Sequence, residues 1–99
     1  MTVQDRLVEV RLPGPLADDA GGHRMVRVQV PDDASVGTVL DRLAGEYPRL
    51  GRRVRDETGE LRRFVNVYVG EDEVRTVDGL ATAVPLGVTV TVLPSVAGG

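Results

Sequence analysis

Valines recur at every second position in four separate segments of this 99-residue chain, and this alternation constrains its fold more than any other feature. Successive side chains of a β-strand point to opposite faces, so a period of two predicts a strand buried on one side only. The alternation predicts strands at residues 7–12, 24–30, 64–69 and 88–93. Their inward side chains would be Val8, Val10, Leu12, Val26, Val28, Val30, Val65, Val67, Val69, Val88, Val90 and Val92.

One stretch between the second and third strands changes to helical spacing. Ser35 is a good N-cap, and Pro48 is expected to end the helix that follows it. Gly37 and Gly45 each lower helix propensity by up to about 1 kcal/mol. We therefore expect packing on the sheet to hold the helix through an apolar stripe of Val36, Val39, Leu40, Leu43 and Tyr47.

Turn residues dominate the remaining segments. Residues 13–23 predict a loop. Residues 49–63 contain six arginines and predict a surface connection that could contain one helical turn. Residues 77–84 predict a turn or short helix. A short strand is expected at residues 73–75.

Pairing of the first strand with the last in one mixed sheet, with the helix across one face, gives a specific architecture. The sequence predicts an α+β, ubiquitin-like β-grasp roll with four to five strands and one main helix. A ferredoxin-like split βαβ layout is the alternative, but it needs a second full helix, for which residues 77–84 are too short. We expect one domain over residues 1–93 and a flexible tail over residues 94–99.

The composition argues against an enzyme that acts unaided. The chain has no cysteine, His23 is its only histidine, and all twelve basic residues are arginine. Thiol nucleophiles, Cys-ligated metals and His-pair metal sites are excluded, so we expect no catalytic residue and no metal. A net charge of −3 and three aromatic residues argue against nucleic-acid binding. No apolar run approaches the roughly 20 residues of a membrane helix, so no membrane contact and a cytoplasmic location are expected.

The sequence ends in Ser-Val-Ala-Gly-Gly after Pro94. A frayed terminus is the plain interpretation. Alternatively, six extended residues reach about 20 Å, enough to enter a partner's active site, and Gly98 and Gly99 could pass a narrow tunnel because they lack Cβ atoms. The terminal carboxylate would need activation by ATP as an acyl-adenylate before sulfur could displace the phosphate and form a thiocarboxylate.

Four ordered blocks decide how we interpret this tail. They are LRRFVNVYV at residues 61–69, EDEVR at 71–75, GLAT at 79–82 and VTVLPSVAGG at 90–99. Together they closely resemble the MoaD/ThiS sulfur-carrier family, with the CysO-type carriers of cysteine biosynthesis the most similar. The resemblance covers residues 61–99 strongly and residues 26–48 more loosely.

The resemblance implies a carrier protein and not an enzyme. Gly99 would be adenylated by an E1-like enzyme, which uses the ATP, and converted to a thiocarboxylate, with Gly98 providing access. The implied partners are this activating enzyme, a sulfur-accepting synthase of the cysteine synthase type and a metalloprotease, and no cofactor is bound by the carrier itself. The small subunit of molybdopterin synthase, a ubiquitin-like protein modifier and a plain interaction domain remain alternatives.

A partner-docking surface is predicted beside the tail. Phe64, Tyr68 and Leu93 lie on strand faces opposite the inward valines, and together with Val96 and Ala97 they would form an apolar docking patch. The alternative is that the three strand residues pack beneath the connection at residues 49–63.

Overall fold

The computed structural model describes residues 5–94, and over this range five strands form one mixed sheet. The strands are β1 (Asp5–Arg11), β2 (Met25–Pro31), β3 (Val65–Val69), β4 (Asp72–Glu73) and β5 (Val90–Pro94). Their order is β2-β1-β5-β3-β4, with β1 and β5 parallel and the other neighbouring pairs antiparallel. The predicted α+β, ubiquitin-like β-grasp architecture, in which the first strand pairs with the last, is confirmed.

The main helix also agrees with the prediction. Helix α2 (Val36–Glu46) follows Ser35, whose hydroxyl accepts a hydrogen bond from the Thr38 N–H at 3.4 Å. Four of the five stripe residues are buried, and Tyr47 is half-buried against the core. In the described residues the buried hydrophobic side chains are all valine, leucine or alanine, as expected for a chain with three aromatics.

Two segments predicted as loop or surface connection contain helices. Helix α1 (Gly14–Ala17) and a 3₁₀ turn at Asp18–Ala20 lie between β1 and β2 and bury Leu16 and Ala20, which a Pro- and Gly-rich composition does not suggest. Helix α3 (Pro48–Val54) buries Leu50 and Val54, four residues apart, among the arginines. Pro48 ends α2 as predicted, but it also begins α3, because proline is well tolerated at the first helical position.

All strand ends lie within two residues of the prediction, and the differences at β5 and β4 have a structural explanation. β5 begins at Val90, because Val88 belongs to the preceding turn, in which its N–H donates to the Pro85 carbonyl, and it is only partly buried. At its other end β5 includes Pro94, which lies opposite Val65. A proline at a strand end keeps its carbonyl acceptor and an extended backbone, so it does not end the pairing early. The strand predicted at residues 73–75 is Asp72–Glu73, followed by a 3₁₀ turn that buries Val74. The turn predicted at residues 77–84 contains a 3₁₀ turn at Gly79–Ala81.

The two faces of the sheet differ. The valines of one face pack against the helices, and these valines and the buried residues of the helices form the core. The opposite face, here called the open face, carries the exposed side chains of Leu7, Met25, Arg27 and Leu93. No helix in the described part of the chain is long and apolar enough to cross a membrane.

Candidate functional site

The candidate site lies around Pro94, at the end of the central strand β5. Val90 of β5 lies beside Val10 in the parallel pair with β1, and Leu93 lies beside Asn66 in the antiparallel pair with β3. A strand with a partner on each side is held more firmly than an edge strand. Residues 95–99 follow Pro94 in the sequence. The predicted attachment site Gly99, together with Gly98, Val96 and Ala97, lies outside the described residues.

Two of the predicted docking residues share one stretch of the open face. Leu93 faces away from its buried neighbour Val92, and Tyr68, two residues beyond Asn66 on β3, faces the same side. Leu93 is 38% exposed and Tyr68 is half-buried. Such diagonal neighbours in an antiparallel pair lie about 7–8 Å apart, within reach of large side chains.

Phe64 is the third predicted docking residue, and it directly precedes β3 in a turn. The turn is closed by the Val65 N–H, which donates to the Arg62 carbonyl at 3.0 Å. Because Val65 lies opposite Pro94, the turn is at the end of the sheet where β5 ends. Phe64 is 57% exposed, so it does not pack beneath residues 49–63, which was the alternative. Whether a partner docks on these residues stays a prediction.

Arg75 braces the turn that presents Phe64. One guanidinium nitrogen, Nη1, donates to the Asn66 Oδ1 at 3.0 Å, and the other, Nη2, donates to the Arg62 carbonyl at 2.9 Å. Charge-assisted hydrogen bonds of this kind are stronger than neutral ones. The side chain therefore joins the segment before β3 to β3 itself and limits the freedom of the turn. No feature of the sequence indicates this role of Arg75.

A hollow on the other side of Leu93 was not predicted from the sequence. It is lined by Arg11, Leu12, Pro13, Arg24, Met25 and Leu93, and we call it the Met25 hollow. Met25 lies beside Arg11 in the pairing of β2 with β1, and Arg11 in turn lies beside Thr91 of β5. The available signal was Met25 itself, since it is an apolar residue on the polar side of the second alternating segment.

Among the titratable groups of the described residues, Asp56 has a structural role. Asp56 begins a turn in which its Oδ1 accepts hydrogen bonds from the Thr58 hydroxyl at 2.6 Å, the Thr58 N–H at 2.8 Å and the Glu60 N–H at 3.2 Å. The Thr58 hydroxyl is the main reason that the pKa of Asp56 lies below its ordinary value. His23, the only histidine, is exposed. Within residues 5–94 no three acidic or histidine side chains are grouped so that they could hold a metal ion.

Comparison with known proteins adds a second line of evidence. The model of the ThiS family matches residues 10–99. The sulfur carrier protein CysO of Mycobacterium tuberculosis is 39% identical over 94 residues, which cover 93% of this chain and 98% of that protein. Small archaeal modifier protein 3 of Haloferax volcanii is 44% identical over 78 residues, which cover 79% of this chain and 84% of that protein.

A solved structure shows that the likeness extends to the three-dimensional fold. The crystal structure of the BexX/CysO complex of Amycolatopsis orientalis contains a chain with a TM-score of 0.81 and 36% sequence identity to this one. The likeness covers 93% of this chain and 99% of that chain. The open face and the end of β5 described above therefore belong to a fold that is also present in the crystallised BexX/CysO complex.

Proposed function

This chain belongs to the ThiS family, whose members similar to it include sulfur carriers and small archaeal modifiers, and we propose that it carries sulfur as a thiocarboxylate on Gly99. The observation that carries the proposal is the extent of the likeness to CysO. It covers nearly the whole of both chains at 39% identity, and the family match continues through Gly98 and Gly99.

The proposed chemistry needs an activating partner. A carboxylate oxygen of Gly99 attacks the α-phosphorus of ATP, an O–P bond forms, and pyrophosphate leaves. The carbonyl carbon of this acyl-adenylate is then attacked by a sulfur donor, in the simplest case hydrosulfide. A C–S bond forms, the C–O bond to AMP breaks, and the proton passes to solvent.

The carrier would contribute its carboxylate and its surface to this reaction. We assign adenylation to an E1-like enzyme, which would also be the component that binds ATP. Glycine at positions 98 and 99 allows a partner's backbone to approach closely. The exposed side chains of Phe64 and Leu93 suit the docking of that partner, since exposed apolar surface commonly marks an interaction site.

The sulfur would be delivered in the cytoplasm to a synthase of the cysteine synthase type, with a metalloprotease releasing the product from the tail. The similarity to CysO at 39% identity supports this assignment over other sulfur acceptors. Delivery to another sulfur-containing metabolite would leave the activation step unchanged.

Intact-mass spectrometry tests the activation step. The purified chain is incubated with its E1-like enzyme, ATP and sulfide, and the expected product has one oxygen replaced by sulfur in its C-terminal peptide. A variant that lacks Gly98 and Gly99 is the control and should remain unchanged. If the full chain retains its original mass while the enzyme is active on a known carrier, the proposal is wrong.

A ubiquitin-like protein modifier is the second candidate. It is supported by the 44% identity to small archaeal modifier protein 3. In that case a lysine amine of another protein would attack the carbonyl carbon of the Gly99 acyl-adenylate: an amide C–N bond would form, the C–O bond to AMP would break, and the amine would lose a proton to solvent. This chain has no lysine, so lysine-linked chains of the protein on itself are excluded. High-mass conjugates on an immunoblot that vanish when Gly98 and Gly99 are deleted would favour the modifier.

A further inference from the structure

The Met25 hollow combines an apolar lining with two arginines, Arg11 and Arg24, here called the rim arginines. Its apolar lining includes the buried side chain of Leu12 and the side chains of Met25 and Leu93, which are 37% and 38% exposed. Arg11 and Arg24 are exposed, and together with Pro13 they complete the lining. The Arg24 guanidinium lies near the start of α1, since a Cβ atom on Gly14 would be 3.5 Å from its Nη2. The hollow therefore has two cations beside apolar surface that water reaches.

Neither rim arginine has a structural partner in the described part of the chain. The ion pairs found between residues 5 and 94 engage Arg6, Arg27, Arg53, Arg55 and Arg75. Arg42 and Arg62 instead donate to backbone carbonyls. Within the same range no carboxylate pairs with Arg11 or Arg24, so both guanidinium groups are available to an incoming ligand.

The chemistry of the lining selects among possible ligands. Guanidinium groups bind carboxylates through paired hydrogen bonds, so acidic side chains match the rim. An exposed ion pair contributes little alone, so useful affinity needs apolar contact as well. A small anion such as phosphate would leave Met25 and Leu93 uncovered. A protein segment with one apolar side chain between acidic residues matches both parts of the hollow.

We propose that the Met25 hollow binds an acidic segment of the activating partner, which inserts one apolar side chain against Met25 and Leu93 while its carboxylates pair with Arg11 and Arg24. The identity of the partner rests on the proposed function. Leu93 is shared between the hollow and the face that carries Tyr68, so the two form one continuous surface beside Pro94. Opposite charges also accelerate encounter, so association becomes faster at low salt.

The test compares charge reversals with a matched control. Arg11→Glu and Arg24→Glu change the hollow, whereas Arg49→Glu makes the same charge change on the exposed surface of α3. We expect each hollow variant to weaken binding of the purified E1-like enzyme by at least about tenfold, with a smaller effect at high salt. Arg49→Glu should stay close to wild type. Met25→Ser should also weaken binding, because it removes the apolar contact.

Wild-type activation is measured in the same experiment by ATP-dependent release of pyrophosphate. If the wild type is activated and the hollow variants bind as tightly as it does, this inference is wrong and the proposed function stands. Equal weakening by Arg49→Glu would also overturn it, because net charge would then account for the loss. If millimolar inorganic phosphate displaces the enzyme from the wild type but not from Arg11→Glu, the hollow is a site for small anions, and the proposed protein segment is wrong. If the wild type is neither bound nor activated, the proposed function and the assigned partner both fail.

Thermal unfolding of each variant checks that the fold is intact. Arg11, Arg24 and Arg49 are all exposed, so their unfolding midpoints should match that of the wild type. For a variant with a lowered midpoint, Arg11→Gln or Arg24→Gln replaces the charge reversal, and the same weakening is expected in smaller degree.

Discussion

Gly51 of α3 lies so close to Ala44 of α2 that a Cβ atom on Gly51 would overlap the Ala44 Cβ and lie 3.0 Å from its Cα. Only glycine lets the two helix backbones approach to this distance. The approach seats Leu50 and Val54 of α3 in the core beside α2. The contact therefore explains how an arginine-rich segment becomes part of the folded domain.

Substitution of Gly51 by alanine should destabilise the protein. The added methyl group forces the helices apart, and overpacking of this kind costs about 1–3 kcal/mol of unfolding free energy. Gly45→Ala in α2 is the matched control, since a Cβ atom there meets nothing within 4 Å. It should raise stability by up to about 1 kcal/mol, because alanine is the better helix former. Urea unfolding measures both, and equal effects of the two variants would contradict the close helix contact.

Arg6 should be important for stability because its guanidinium fastens the segment before β5. The side chain is 10% exposed and donates to the carbonyls of Val84, of Pro85 at 3.4 Å and of Asp32 at 3.3 Å. Arg6→Gln should lower the free energy of unfolding by about 1–3 kcal/mol, since three backbone carbonyls, of which that of Val84 is partly buried, lose a charged donor. Arg49→Gln, at an exposed position, should stay within about 0.5 kcal/mol of wild type. A similar small change for Arg6→Gln would show that the carbonyls do not depend on it.

The exposed apolar side chains beside Pro94 should control activation by the partner. Phe64→Asp and Leu93→Asp should each reduce the rate of ATP-dependent activation at low carrier concentration by about tenfold or more, as expected for residues at the centre of an interface. Leu86→Asp is the control, because Leu86 is the most exposed large apolar residue described and lies in the turn before β5. Steady-state kinetics provides the measurement. A loss shared equally by Leu86→Asp would remove the docking role from this face.

The Asp56 carboxyl should make the free energy of unfolding depend on pH in the acidic range. Its hydrogen bonds, chiefly from the Thr58 hydroxyl, lower the pKa of the carboxyl in the folded state below its ordinary value. The carboxylate therefore stabilises the fold above the ordinary pKa, and this contribution is lost as pH falls through the folded-state pKa. In Asp56→Asn the amide oxygen can still accept hydrogen bonds but does not titrate. Between about pH 5 and about pH 1 the variant should lose less stability than wild type, as measured by urea unfolding. If the free energies of unfolding of the variant and of the wild type fall in parallel as the pH is lowered, Asp56 has no part in the acid sensitivity.

Much of the sheet could be predicted because alternation is a local property. Val8, Val10, Val26, Val28 and the other inward valines except Val88 are buried because each strand turns only one face to the core. For residues 49–63 the sequence indicated no more than one helical turn, and the full helix α3 was not predicted because its two inward residues, Leu50 and Val54, are outnumbered by arginines whose side chains reach solvent. Composition averaged over a segment does not reveal a short apolar pair of this kind.

The sequence by itself determined the strand faces, the main helix with its Ser35 cap, and the resemblance that directed attention to Gly99. These depend on residues close together along the chain, where periodicity and capping act. Only the tertiary structure decided which side chains meet at the end of β5. Met25, Arg11 and Leu93 come from three strands far apart in the sequence and meet through the register of β2, β1 and β5. Register is set by the combined packing of all strands against the helices, so no single segment contains it.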